Sequence, residues 1–136
     1  MKKKADIDDC SLMYLDQYGN RNGHITSIEI ESNFPFNFER IFYLFDIPSG
    51  ESRGAHSHLE CHQFLVAVSG SFSVYVDDGR STNEFVLNRP NIGLHIPPGI
   101  WASEGNFSSG AVCLVFASHK YDENDYIREY SQFIRT

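Results

Sequence analysis

Positive charge is scarce in this 136-residue sequence: 11 lysines and arginines stand against 18 aspartates and glutamates, a formal net charge of −7. That balance gives no electrostatic footprint for nucleic acid, whose binding relies on clustered cations. A small anionic ligand stays possible, because one or two well-placed arginines hold a phosphate against an unfavourable global field. Long apolar runs are missing as well. No stretch approaches the roughly 20 apolar residues of a membrane span. The start, MKKKADIDDC, has the basic residues of a secretory leader but no apolar run behind them. Cysteine is sparse: Cys10, Cys61 and Cys113 form an odd set with no metal-type spacing. With no export signal they read as reduced thiols, and the expected compartment is the cytoplasm. Cys113 sits in the apolar run AVCLVFA and reads as core. No repeat, linker or low-complexity segment interrupts the chain, so one domain over residues 1–136 is expected.

What the chain does have is short strands. GHITSIEIES alternates apolar and polar residues, and RIFYLFDI is aromatic and β-branched. FLVAVSGSFSVYVDDGR reads as two strands broken at Ser69-Gly70, the second ending in the hairpin signal Asp78-Gly79. EFVLN, IGLHIPPG and AVCLVFAS follow, each closed by turn residues. Many short strands at close spacing predict an all-β sandwich or barrel. One short helix is expected at the C-terminus, where YDENDYIREYSQFI spaces Tyr126, Ile127, Tyr130, Phe133 and Ile134 helically behind acidic residues.

The chemistry-bearing stretch is RGAHSHLECHQ, residues 53–63. Alternate side chains of a strand share a face, so His56 and His58 point the same way. A turn at LEC brings Gln63 onto that face. His62 has the opposite parity and reads as turned away. His24 and His119 have no supporting partners and read as surface.

These residues resemble the first cupin motif, G-x5-H-x-H-x4-E-x6-G, over Gly50 to Gly70. Pro97-Pro98-Gly99 through Asn106 resembles the second, P-x-G-x2-H-x3-N. The resemblance implies a small cupin jelly-roll barrel. Two metal positions are changed: Gln63 stands where the family carries Glu, and Ala102 where it carries the third His. Amide is a poor ligand for transition metals and alanine offers none. Two histidines fall short of a typical catalytic zinc site unless His95 or His62 substitutes. No metal and no other cofactor are therefore expected, and the two histidines are free to move protons.

A fuller resemblance runs over nearly the whole chain. RGAHSHLECHQFLVAVSGSFSVYVDDG is similar to the pattern of the sugar-nucleotide 3,4-ketoisomerases, as are NRPNIGLHIPPGIW and YDENDYIREYSQF. That family implies metal-independent movement of the ketone of dTDP-4-keto-6-deoxyglucose from C4 to C3 through an enediol or enediolate. It also implies a homodimer joined by strand contacts, with exchange of N-terminal strands as one form.

In that frame His56, His58 and Tyr43 are the candidate catalytic residues. Which histidine is the carbon base is left open. Arg53 and Arg40 are candidates for the diphosphate. Gln63 is a candidate for the sugar or for orienting a histidine, Trp101 for stacking, and His95 for the cavity wall. The competing expectations are a nucleotide-sugar 3- or 5-epimerase, a metal-dependent cupin and a non-catalytic sugar-binding cupin.

Overall fold

The computed structural model describes residues 5–136, so the basic start lies outside the described residues. The strands are β1 (Ser11–Tyr14), β2 (Tyr18–Asn20), β3 (Gly23–Ile25), β4 (Arg40–Leu44), β5 (Arg53–His58) and β6 (Gln63–Ser69). They continue with β7 (Phe72–Asp77), β8 (Thr82–Leu87), β9 (Ile92–Ile96), β10 (Trp101–Gly105), β11 (Val112–Ala117) and β12 (Tyr126–Ile127). A single helical turn, α1 (Tyr130–Phe133), follows. One five-stranded sheet runs β1-β9-β6-β11-β4 and the other β12-β5-β10-β7-β8, while β2 and β3 form a hairpin. Two facing antiparallel sheets are the all-β class expected from the strand pattern and the jelly roll that the cupin resemblance implied.

Alternation builds the core. Leu65 and Ala67 of β6, Leu94 and Ile96 of β9, and Cys113 and Val115 of β11 face Val74 and Val76 of β7 and Ala102 of β10. Burying a side chain such as Leu65 or Leu94 contributes roughly 1.5–3 kcal/mol. The turns obey glycine chemistry. Gly70 (φ 66°) and Gly79 (φ 92°) occupy left-handed positions, and Asp77 Oδ1 accepts from the Gly79 N–H at 2.6 Å.

Three segments differ from expectation. In GHITSIEIES only Gly23–Ile25 forms a strand. Beyond it the chain crosses the outer face of the first sheet, where Ile28, Phe34, Phe36 and Phe38 pack on Phe64, Val66 and Phe116. Tertiary burial of phenylalanines there overrides the local alternation. WASEG, unassigned from sequence, forms β10, hydrogen-bonded between β5 and β7. The expected short C-terminal helix forms, but over less of the segment than the helical spacing covers. Glu123–Asp125 is a 3-10 turn capped by Asp122, Tyr126 and Ile127 pair with His58 and Ser57 of β5, and only Tyr130–Phe133 is helical. Pairing satisfies the β5 edge, which a free helix would leave open.

Candidate active site

A cavity of about 250 Å³ opens between the sheets. Phe42 and Leu44 of β4 give it an apolar wall. Arg53 and His56 of β5, Gln63 of β6, Glu104 of β10, and Tyr126 and Arg128 of the C-terminal segment give it polar lining. This is smaller than the roughly 300–1,000 Å³ of drug-sized sites, so it takes one ring rather than a whole nucleotide sugar.

Arg53 and His56 have opposite strand parity, yet both line this cavity. A β-bulge reconciles them. Ala102 pairs with His56 and Glu104 with Arg53, so three steps on β5 match two on β10. Gly54 takes φ +78° inside the bulge, and a Cβ there would collide with Glu104 Oε2. Bulges re-aim side chains beside functional sites.

His56 and His58 lie edge to face, with ring centroids 4.9 Å apart. The Tyr126 ring packs on both, 5.0 Å from His56 and 4.4 Å from His58. His58 Nδ1 lies 2.8 Å from Asp125 Oδ2. The carboxylate cannot donate, so Nδ1 carries the hydrogen and Nε2 keeps its lone pair. Asp125 is itself fixed by the N–H groups of Glu60 at 2.7 Å and Cys61 at 3.3 Å. His58 Nε2 is buried without a partner.

Electrostatics separate the groups. Burial, then His58, Arg128 and Arg40, push His56 down to about 4. Burial also lowers His58, against the opposing pull of Asp125. Burial pushes Glu104 up to about 7, with Arg53 pulling the other way. Around pH 6 the cavity thus holds a neutral His56 and a largely protonated Glu104, with Arg53 and Arg128 in the same lining.

Among the sequence-selected residues, His56, Gln63 and Arg53 meet in the cavity, with His58 behind His56. Arg40 stands at its edge. Its Nη2 donates to the Tyr126 hydroxyl at 3.4 Å, and its guanidinium lies 5.1 Å from the Phe42 ring centroid.

Three placements are corrected. Tyr43 lies between inward-facing Phe42 and Leu44, so alternation turns it out: it is 59% exposed, against Phe45. His95 lies between Leu94 and Ile96. Those two face the space between the sheets, which also holds the cavity, so His95 points to the outer face, 2.9 Å from His62 Nδ1. Trp101 precedes inward Ala102 and packs outside the second sheet, on Tyr130 and Phe133.

Asp125, Tyr126, Arg128 and Glu104 were not found from sequence. The first three were hidden by the helical reading, although Tyr126 and Arg128 share strand parity. Glu104 was legible in principle: it is two residues from Ala102, and therefore on the same face of β10.

The residues do not fit a cupin metal. Among the described residues, the group of His, Cys, Asp and Glu atoms that converges is His58, Cys61 and Asp125. His56 is not in it, and Asp125 is already committed to His58 and two backbone N–H groups. The cysteines are free and buried.

Comparison with known proteins identifies relatives of the whole chain. A curated relative, the TDP-4-oxo-6-deoxy-alpha-D-glucose-3,4-oxoisomerase of Aneurinibacillus thermoaerophilus, is 42% identical over 111 residues, covering 82% of this chain and 80% of its own. A 3,4-ketoisomerase from Helicobacter canadensis superposes with a TM-score of 0.90 at 40% identity, over 93% of this chain and 96% of that one. A histidine-to-asparagine variant of the 3,4-ketoisomerase QdtA of Thermoanaerobacterium thermosaccharolyticum, crystallised with TDP-4-keto-6-deoxyglucose, gives 0.93 at 33% identity, over 96% and 94%. The family model described as "FdtA: WxcM-like, C-terminal" matches residues 8–136. On this match, and on the jelly roll that carries it, the chain belongs to the FdtA, WxcM-like family of sugar-nucleotide 3,4-ketoisomerases.

Proposed function

We propose that the protein moves the ketone of dTDP-4-keto-6-deoxyglucose from C4 to C3, with His56 as the base at carbon. The observation that carries this reading is the neutral His56 in the cavity, backed by a carboxylate-oriented His58 and flanked by Arg53 and Gln63. A base must be unprotonated, and burial keeps His56 so at neutral pH. The C4 ketone acidifies the C3 proton, and His56 removes it. The electron pair forms the C3=C4 bond of an enediol, and proton return to C4 leaves the ketone at C3. The oxidation level moves within the sugar, so the balance needs no redox partner. Asp125 holds His58 in one tautomer, and His58 and Tyr126 fix the ring of His56.

The sugar enters the cavity and the nucleotide stays outside. Arg53, with no ion-pair partner among the described residues, and Arg40, with a free buried Nε, meet the diphosphate. Arg128 is held bidentately by Glu123 at 2.6 and 2.8 Å and shapes the mouth. A homodimer belongs to the proposal: edge strand β4 carries exposed Ile41 and Tyr43, followed by exposed Phe45. At the other edge β1 pairs with β9 of its own chain, and exchange would remake those pairings between copies. Among the described residues no helix is long and apolar enough to cross a membrane, and the buried free thiols suit a reducing cytoplasm.

The test is incubation with dTDP-4-keto-6-deoxyglucose in deuterated water, followed by NMR. A 3-keto product with deuterium at C4 is expected. Inversion at C3 or C5 without ketone movement would replace the reading with an epimerase. Binding without any exchange would leave a sugar-binding protein.

A further inference from the structure

We propose that His58, Cys61 and Asp125 form an inhibitory zinc site, reached from outside the substrate cavity. Metal binding stands on the geometry of these three residues. The inhibition rests on the isomerase reading above.

Three kinds of ligand converge at the end of β5. His58 closes that strand, Cys61 follows in the turn, and Asp125 is carried there by the pairing of Tyr126 with His58. A ring nitrogen of His58, the Cys61 sulfur and a carboxylate oxygen of Asp125 all lie within 4.8 Å of one another. Nδ1 is the His58 nitrogen on this side, 2.8 Å from Asp125 Oδ2. In a tetrahedral zinc site, bonds of about 2.0–2.3 Å set neighbouring ligand atoms about 3.3–3.7 Å apart. The group therefore needs to close by little more than about 1 Å. Cys61 is a free thiol. Sulfur, imidazole and carboxylate together suit zinc, whereas magnesium and calcium take oxygen ligands. The outer contacts are already in place. The Glu60 N–H holds Asp125 Oδ1 at 2.7 Å, and the Ser118 hydroxyl lies 3.8 Å from Cys61 Sγ, where it can donate to a thiolate. Hydrogen bonds of this kind orient metal ligands.

A separate path leads to the group. Asp125 also lines a surface cleft of about 420 Å³, together with Glu39, Glu60, His119, Lys120 and Asp122. That cleft shares no lining residue with the substrate cavity. Its four carboxylates against one lysine, on a chain of net charge −7, draw a divalent cation toward Asp125. The arrangement is not a cupin metal centre, since His56 takes no part in it.

Binding at Nδ1 resets His58. Asp125 otherwise keeps the hydrogen on Nδ1 and leaves Nε2 its lone pair. Zinc takes the Nδ1 lone pair, so the hydrogen moves to Nε2, and the Cys61 thiol gives its proton to solvent. Thiolate and carboxylate balance the two charges of the ion. The ring beside His56 is then in the opposite tautomer and its carboxylate is spent on the metal. Ketone migration stops while the fold stays, and a chelator restores it.

The experiment titrates zinc into metal-stripped wild type and into Cys61→Ser, which keeps the shape of the side chain and removes the sulfur. Ketone migration from dTDP-4-keto-6-deoxyglucose is followed by NMR and zinc affinity by calorimetry. Cobalt in place of zinc reports a sulfur ligand by its thiolate-to-metal absorption, with no substrate present. Zinc should inhibit wild type and EDTA should reverse it. Losing an outer hydrogen bond already weakens metal binding about 10–100-fold, so losing the sulfur should raise Kd and the inhibition midpoint about 10²-fold, with zinc-free kcat held within about threefold. The cobalt–thiolate absorption should vanish in Cys61→Ser. Zinc inhibiting both proteins equally, or leaving wild type at full rate, would overturn the inhibitory site and leave the isomerase reading standing. A wild-type cobalt complex without thiolate absorption would do the same. A wild type with Cys61-dependent absorption that moves no ketone would overturn the isomerase reading and the inhibition, and leave the metal site. If Cys61→Ser does not fold, Cys61→Ala takes its place, and if neither folds the wild-type cobalt spectrum and zinc inhibition decide.

Discussion

Two histidine pairs occupy opposite faces of this molecule. His62 and His95 stack on the outer face of the first sheet, with Nδ1 and Nε2 2.9 Å apart. The Phe36 ring lies 5.6 and 5.5 Å from them. His56 and His58 sit inside, perpendicular to each other, against Tyr126 and Asp125. Burial is the largest cause of lowered pKa in both pairs, and His95, like His56, falls to about 4. Depressed basicity therefore does not mark a catalytic histidine. What separates the pairs is their company. The inner one has a carboxylate at hydrogen-bond distance from one ring, arginines beside it, and an open cavity. The outer one has phenylalanines and its own partner.

The sharpest way to break this comparison is to remove one ring from each pair. His56→Asn should lower kcat by about 10³-fold or more, while His95→Asn leaves it within about threefold, both measured by NMR of ketone migration. Equal losses would mean that the outer pair takes part. Next in size is Asp125→Asn. The amide no longer demands a donor at Nδ1, so His58 loses its fixed tautomer, and kcat should fall about 10²-fold with KM little changed. A change in KM alone would make Asp125 a structural support.

The pH profile gives a smaller effect of defined sign. His56 works neutral, so wild-type kcat should hold down to about pH 5 and fall as pH drops through about 4. An ordinary imidazole would give that fall near 6.5. Smallest is stability. The folded His95 binds its proton at about 4 and the unfolded one near 6.5, so between these values the unfolded state holds more protons. Stability from this group therefore rises with pH across that window. His95→Phe should flatten the slope of Tm between pH 4 and 6.5 with activity retained. Tyr43→Phe should change neither reading, because its hydroxyl faces away from the cavity.

Much of the inner site was legible because strand parity is a local rule. Alternation alone set His56 and His58 on one face, and the Ser69-Gly70 and Asp78-Gly79 turns marked the bounds of β6 and β7. The same rule misled at His95 and Trp101, because parity says which residues share a face but not which face meets the cavity. Tyr43 failed for the same reason beside Phe42. The C-terminal segment failed differently. Its apolar residues suit a helical period, but the open edge of β5 offers backbone partners that a helix cannot use, and Tyr126 and Ile127 pair there instead. That pairing carried Asp125, Tyr126 and Arg128 to the site, out of reach of any local pattern.

The sequence by itself determined the all-β class, the H-x-H pair, and the replacement of two cupin ligands by Gln63 and Ala102, since composition, spacing and residue chemistry are properties of the chain. Only the tertiary structure decided which histidine pair has a carboxylate, which face of each sheet is wet, and that Glu104 stands beside Arg53 and His56 on the lining of one cavity. Those facts arise from strands far apart in sequence brought into register, and from a bulge at Gly54 whose effect on Arg53 appears only when β5 is hydrogen-bonded to β10.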